Sequence, residues 1–265
     1  MMRTLIAVVA ALAATFGAQA AGAVDEGRFL LAGHFQLRVN GKVEPDARLF
    51  WGGQGVPRLL VVTPALSRPV MIIAGEKRVV ALAPADIVAD PSDPEAALVR
   101  RSGTDAGPSL EIDGAKLKFT LGAARAAVEP RDPLLGDATP ERLLAYMPEY
   151  RRNAAAYAPQ IGAMRMLESL PGKAEVVVYF GTWCPHCEHF VPRLLKVAQS
   201  LHGKRIVFRF HGVPGTAGFD DDAKRANVQA VPVAIVRRDG QVLGRIEGEK
   251  WEQPEVALGG ILLGY

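Results

Sequence analysis

The order of apolar runs and turn residues predicts an α/β fold in the C-terminal part of the chain, preceded by a β-rich N-terminal domain. Three observations carry this. From residue 24 to about 138, short apolar runs alternate with turn signals. Near Gly136 the pattern changes, and Thr139-Pro140-Glu141 reads as a helix start: a capping hydroxyl, Pro at the first helical position and an acid in the first turn. From Lys173 onward strand and helix alternate, which describes a central sheet covered on both faces. A chain of 265 residues has room for two ordinary domains, at roughly 100–200 residues each. The boundaries read as a signal peptide over 1–20, a β-rich domain over 21–138, a helical linker over 139–159 and an α/β domain over 160–265.

The first twenty residues read as an export signal. Arg3 gives a positive start, Leu5 to Ala14 is apolar and uncharged, and Ala18-Gln19-Ala20 supplies a small-x-small site for cleavage after Ala20. The other reading is an uncleaved anchor, but the strongly apolar part is short for a span of about 20 residues. No Cys lies near the site, so lipid attachment there is excluded. No later segment reads as a bilayer span. The expected location is outside the cytoplasm, with a bacterial periplasm fitting best.

Within the β-rich part the expected strands are Phe29–Val39, before the turn Asn40-Gly41, then Leu49–Trp51, Leu59–Val62, Val70–Ile73 and Val79–Leu82. Leu110–Ile112 and Leu117–Leu121 flank Asp113-Gly114, a hairpin signal. The stretch Asp90 to Pro108, rich in Pro, Asp, Ser and Gly, reads as a long loop. Gly52-Gly53-Gln54-Gly55 lacks the following Lys-Ser/Thr and helix of a phosphate cradle, so it reads as a turn.

A helix from Pro140 to about Tyr146 opens the linker, and a second covers Gln160 to Leu170, before Pro171-Gly172. Then come a buried strand Glu175–Phe180, a helix to about Gln199, a strand Ile206–Phe210 and a short helix Asp220–Ala226. A hairpin Val233–Arg237 and Gln241–Ile246 turns at Asp239-Gly240, and a last helix covers Pro254–Leu263.

Composition narrows the function. Hydrophobic residues are 49% and charged residues 22%, enough for a packed core and too apolar for disorder. Net charge is +3 with Lys and Arg scattered, so no nucleic-acid partner is expected. The two Cys are two residues apart, at 184 and 187. A bridge between them closes a tiny loop and removes little unfolded-chain entropy, which suits opening and closing rather than stapling. Cys184-Pro185-His186-Cys187 follows a buried strand and opens a helix. A helix start offers free N–H groups and the positive end of the dipole to the first sulfur. Such a site lowers a thiol pKa from about 8.5 to as little as about 3.5. Cys187, one turn further in, is placed to resolve a mixed disulfide.

These residues resemble the thioredoxin family, over about Gln160 to Tyr265. Trp183 precedes the first Cys. Pro192 stands five residues after Cys187, where thioredoxins carry a helix-kinking Pro. Val231-Pro232 precedes a strand, as the family's cis-Pro does. Gly240 and Gly248 follow Pro232 by eight and sixteen residues, at the family's hairpin and bulge positions, and Arg209 stands where thioredoxins have Lys. The resemblance implies a thioredoxin fold in the C-terminal domain. It also implies a redox-active disulfide with Cys184, Cys187, His186 and Pro232 as catalytic residues, and no bound cofactor.

Departures from the family refine this. The buried acid six residues before the first Cys is replaced by Val178, which removes the family's proton-transfer group at the second Cys. The dipeptide Pro185-His186 and Val231 before the Pro resemble periplasmic Dsb-type oxidases. However, the 45 positions between Cys187 and Pro232 are too few for the helical insertion of those proteins. Gly181-Thr182-Trp183-Cys184 together with Pro192 resembles TlpA-type periplasmic thioredoxins. The layout also resembles the dimeric disulfide isomerases, whose Thr before the cis-Pro and helical insertion are absent here.

The expected function is therefore an exported thiol–disulfide oxidoreductase, relatively oxidising, acting on protein thiols or disulfides and served by a redox partner. Open alternatives are a periplasmic reductase or isomerase, and a metal-handling or assembly module using Cys184, His186, Cys187 and His189. A closed zinc site needs four ligands in a tetrahedral array, and adjacent helix positions splay them apart. No metal is expected. Haem attachment would need His at 188, which is Glu. His34, His202 and His211 have no partner legible in the sequence.

Overall fold

The computed structural model describes residues 27–53, 56–100, 105–203, 205–215 and 220–264. The expected signal peptide lies outside them. The chain divides into two compact units, at Arg131/Asp132.

The described residues of the first unit form thirteen strands: β1 (Gly27–Leu31), β2 (Phe35–Val39), β3 (Lys42–Val43), β4 (Arg48–Gly52), β5 (Arg58–Val62), β6 (Val70–Ile73), β7 (Arg78–Ala81), β8 (Ile87–Asp90), β9 (Asp93–Val99), β10 (Asp105–Ser109), β11 (Glu111–Asp113), β12 (Lys116–Leu121) and β13 (Ala124–Pro130). An eight-stranded sheet runs β10-β7-β6-β5-β4-β1-β9-β8 and a five-stranded sheet runs β11-β12-β13-β2-β3. Leu37, Val39, Phe119 and Val128 of the smaller sheet share a core with Leu59, Val61, Val70 and Ile72 of the larger one. The larger sheet buries its other face too, through Phe29, Phe50, Leu60 and Met71. Burial on both faces explains why its strands read as unbroken apolar runs.

Three expectations for this unit change. The run Phe29–Val39 is two strands: after Leu31 the chain turns at Gly33-His34, and β1 and β2 enter different sheets. The expected loop from Asp90 to Pro108 holds β9 and much of β10. β9 pairs with both β1 and β8, burying Ala96, Ala97 and Val99. β13 has no earlier counterpart. Its buried Glu129 is taken up by Arg38 at 2.5 Å and Lys116 at 2.9 Å, so a charge stands where an apolar residue would have marked the strand. The turn at Asn40-Gly41 is as expected, with φ of 50° and 82°, the left-handed pair that a two-residue hairpin requires.

The second unit has one five-stranded sheet, ordered β14-β16-β15-β17-β18. Its strands are β14 (Gly136–Ala138), β15 (Ala174–Phe180), β16 (Ile206–Gly212), β17 (Val233–Arg238) and β18 (Gln241–Ile246). β15 and β16 are parallel and the other pairs antiparallel. Six helices are described: α1 (Pro140–Tyr146), α2 (Pro148–Ala156), α3 (Ile161–Ser169), α4 (Pro185–Ser200), α5 (Asp221–Arg225) and α6 (Pro254–Leu263). Val176, Val178 and Phe180 of β15 face a core with α1 to α4 and α6, whereas Val177 and Tyr179 face a second core with α5. The period of two is present, but both faces are buried, so β15 reads as one apolar run.

Residues 139–159 are built into this unit. Thr139 caps α1 by accepting the Arg142 N–H at 3.2 Å. Leu143, Met147 and Tyr150 are buried in the α4-side core, and Ala154 is buried as well. β14 adds an edge strand, with Gly136 opposite Gly212. Residues 139–159, read in the sequence as a linker, thus pack within the unit that begins at Asp132. Apolar residues of α2 supply a face that packs against α4, and α1 packs beside α2.

Candidate active site

The site begins at the end of β15. Gly181 follows the strand, and a Cβ on it would stand 2.4 Å from the Trp183 ring. Only glycine lets Trp183 fold back, where its Nε1 donates to the Val213 carbonyl at 3.0 Å. Cys184 is the N-cap of α4, in extended conformation, with Pro185 at the first helical position. Its Sγ takes the place of the usual capping oxygen, accepting the Cys187 N–H at 3.4 Å. Cys187 is one turn inside the helix and fully enclosed, and its Sγ accepts the Gly181 N–H at 3.4 Å. Both cysteines are thiols.

The two thiols differ sharply. Cys184 is lowered to about 6. The hydrogen bond from the Cys187 thiol is the largest cause. The N–H groups of Cys187 and His186 and the His186 charge act in the same direction, against burial. Cys187 is pushed well up, by burial first and then by the Cys184 hydrogen bond and charge. The arrangement yields one nucleophilic thiolate near neutral pH and one protonated thiol behind it.

The Val231-Pro232 bond is cis. The Val231 carbonyl lies 3.6 Å from the Cys184 sulfur and can accept its proton's hydrogen bond. The Pro232 carbonyl accepts from Trp251 Nε1 at 3.0 Å, which holds the loop against the helical turn 248–252. His186 is exposed and its ring lies parallel to that of Phe190, at 6.4 Å between centroids. Phe190 in turn meets Trp251 at 6.5 Å. His186, Phe190, Pro232 and Trp251 line one open cleft of about 540 Å³. Of the four residues singled out in the sequence, His186 and Pro232 line this cleft, Cys184 lies beside it at the Val231 carbonyl, and Cys187 is enclosed one helical turn deeper.

Other residues fall elsewhere. Pro192 lies inside α4, as the motif spacing implied. Arg209 binds Asp137 at 2.9 Å and Asp222 at 3.3 Å, within an acidic cluster. His189 contacts Arg193 at 2.8 Å and sets its ring edge to face against Phe190. Among the described residues no group of three or more His, Cys, Asp or Glu side chains is placed to hold a metal ion. His211 does have partners: Asp137 at 2.6 Å on Nδ1 and Asp220 at 2.8 Å on Nε2. Phe190, Trp251 and Tyr150, a buried neighbour of the cysteines, carried no signal in the sequence beyond being aromatic.

Known proteins match part of the chain. Over 76 residues the chain is 32% identical to Thioredoxin Y1, chloroplastic, of Arabidopsis thaliana, covering 29% of this chain and 42% of that protein. Over 73 residues it is 32% identical to Thioredoxin-3, mitochondrial, of Saccharomyces cerevisiae, covering 28% and 54%. The chain thus spans about half the length of the relatives it matches. The crystal structure of the oxidised form of mitochondrial thioredoxin 3 from Saccharomyces cerevisiae is similar with a TM-score of 0.27 and 24% identity, over 40% of this chain and 96% of that one. The family model described as Thioredoxin matches residues 166–256, which include both cysteines and Pro232, so the C-terminal part of the chain carries a thioredoxin domain.

Proposed function

We propose that this protein is an exported thiol–disulfide oxidoreductase that exchanges disulfides with protein substrates through Cys184 and Cys187. The observation that carries the reading is the asymmetry of the pair. Cys184 is lowered to about 6 and lies against the Val231 carbonyl of the cleft wall, and Cys187 is enclosed and raised one helical turn deeper. In the oxidising direction a substrate thiolate attacks the Cys184 sulfur of the Cys184–Cys187 disulfide and Cys187 leaves as the thiolate; a second substrate thiolate then displaces Cys184 and carries away the new disulfide. In reverse, the Cys184 thiolate attacks a substrate disulfide, and Cys187 then displaces the remaining substrate sulfur and closes the bridge. The cis-Pro232 loop and the aromatic wall of Phe190 and Trp251 border the cleft in which an extended substrate segment would lie against Cys184.

The export reading rests on the apolar stretch Leu5–Ala14 and the Ala18-Gln19-Ala20 site. A periplasm is the compartment in which such a pair meets folding proteins. Among the described residues no helix is long and apolar enough to cross a membrane. The direction is oxidising. A stabilised Cys184 thiolate favours the protein's reduced form, which makes its disulfide an oxidant of others.

Equilibration of the full chain with glutathione buffers, read by the mass of alkylated cysteines, tests this. The expected couple lies above thioredoxin's potential of about −270 mV. A couple at or below that value makes the protein a reductase, and cysteines that never exchange with glutathione overturn the reading.

A further inference from the structure

Tyr150 on α2 is fully enclosed, and its hydroxyl is a buried polar atom with no hydrogen-bond partner. A buried donor left unmade is destabilising, and phenylalanine would fill the same space without that cost. The reason for a phenol here lies in its surroundings. Tyr150 belongs to the same core as Cys184 and Cys187. Its ring stands edge-on to Phe180, the last residue of β15, with centroids 6.4 Å apart. Asn153, one turn along α2, donates to the Glu188 carbonyl at 3.0 Å, which fixes α2 against the first turn of α4 next to Cys187. After burial, the charges that most raise the phenol are those of Cys187 and then Cys184, followed by Glu188 of α4 and Glu149 of α2.

The exchange reaction contains a step that this site must assist. In the mixed disulfide the Cys184 sulfur is bonded to substrate, and Cys187, buried and raised, must become a thiolate. The acid that the thioredoxin resemblance would supply for this is replaced by Val178, an enclosed apolar residue. One backbone N–H, from Gly181, reaches the Cys187 sulfur.

We propose that the Tyr150 hydroxyl is a hydrogen-bond donor held in reserve for the Cys187 thiolate, used as that sulfur closes the intramolecular disulfide. The inference rests on the exchange function proposed above. In the step, Cys187 loses its proton and its sulfur attacks the Cys184 sulfur. The Cys184–Cys187 bond forms and the Cys184–substrate bond breaks. The substrate sulfur leaves with the electron pair and takes up the proton, so no outside oxidant is needed. Tyr150 keeps its own proton throughout, since burial holds the phenol in its neutral, donating form. A hydrogen bond to an anionic sulfur is worth more than one to a neutral thiol, so the contact favours the reacting state over the resting one.

The test uses the reduced full chain and dithiobis(nitrobenzoate), a small aromatic disulfide that releases a coloured thiolate. Attack by Cys184 releases the first equivalent, and closure by Cys187 releases the second. In Tyr150→Phe the first phase is expected at the wild-type rate. The second is expected to be slowed about tenfold or more, with its pH midpoint moved upward. The melting temperature is expected to be unchanged or higher, because an unpaired buried donor has been removed. A second phase at the wild-type rate and pH midpoint overturns the proposal. Equal slowing of both phases also overturns it, since that reports a packing role. Absence of the first phase in the wild type is a different failure, that of the exchange reading itself.

Discussion

The sulfur of Cys184 caps the helix in which Cys187 is the third residue, accepting the Cys187 backbone N–H at 3.4 Å. One sulfur thus occupies the place where a helix start favours negative charge, and the other lies a turn deeper, where burial disfavours it. The chemical inequality of the pair follows from this offset.

Thiolate absorbance against pH should rise with a midpoint of about 6 in the reduced protein. Cys187→Ala should move that midpoint up by more than His186→Ala does, because the Cys187 thiol is the larger cause. Alkylation of Cys184 should fall about tenfold per pH unit below the midpoint, as the thiolate fraction falls. A larger effect of the His186 substitution would reverse the ranking of causes.

His211 ties the edge strand to α5. Its ring bonds Asp137 on β14 and Asp220, the N-cap of α5. Burial alone would lower its pKa, but the two carboxylates outweigh that and raise it. A raised folded-state value means that the contribution is complete below the unfolded histidine's value of about 6.5 and lost as pH rises through the folded one. Melting temperature measured from neutral to alkaline pH should therefore include a decline that His211→Gln removes. At pH 6 that variant should be less stable by about 1 kcal/mol, the partners being partly exposed. An identical pH dependence in the variant would show that His211 does not titrate with folding.

Gly212 ends β16 where the chain before β14 crosses it. A Cβ at this position would stand 1.9 Å from the Leu134 carbonyl oxygen. Backbone cannot yield as a side-chain tip can. Gly212→Ala should cost about 3 kcal/mol, read by denaturant unfolding, and should loosen β14. A variant as stable as the wild type would mean that the 133–135 segment moves freely.

The unit boundary predicts which fragment folds. A fragment starting at Asp132 keeps β14, Asp137 and the Leu134 N–H that Thr182 accepts at 3.2 Å. It should unfold cooperatively and exchange small dithiols. A fragment starting at Thr139 lacks the edge strand and Asp137, one of the two partners of His211, and should melt lower. Equal melting temperatures would make β14 dispensable.

Much of the second unit was legible in the sequence, because its signals are local. Thr139-Pro140 starts α1, Asp239-Gly240 turns the β17–β18 hairpin with φ of 50° and 80°, and Pro254 starts α6. The site residues were legible because Cys184, His186 and Cys187 are adjacent and Val231-Pro232 stands before an apolar strand. What escaped was tertiary. β9 carries Asp93, Pro94 and Glu95 and reads as a loop, yet β1 and β8 pair with it on both sides. β14 is three residues long and exists because β16 offers an edge. Tyr150 and Trp251 are ordinary aromatics in sequence, and only the packing brings one to the cysteines and the other to the Pro232 carbonyl.

The division of labour between Cys184 and Cys187 is tested most directly by trapping. Full-length Cys187→Ser and Cys184→Ser are each incubated with oxidised glutathione and analysed by intact mass. Cys187→Ser should accumulate a mixed disulfide at Cys184, because no second sulfur remains to displace the glutathione. Cys184→Ser should remain unmodified, its remaining thiol being enclosed and raised. Equal adducts on both variants, or adducts on neither, would contradict the account.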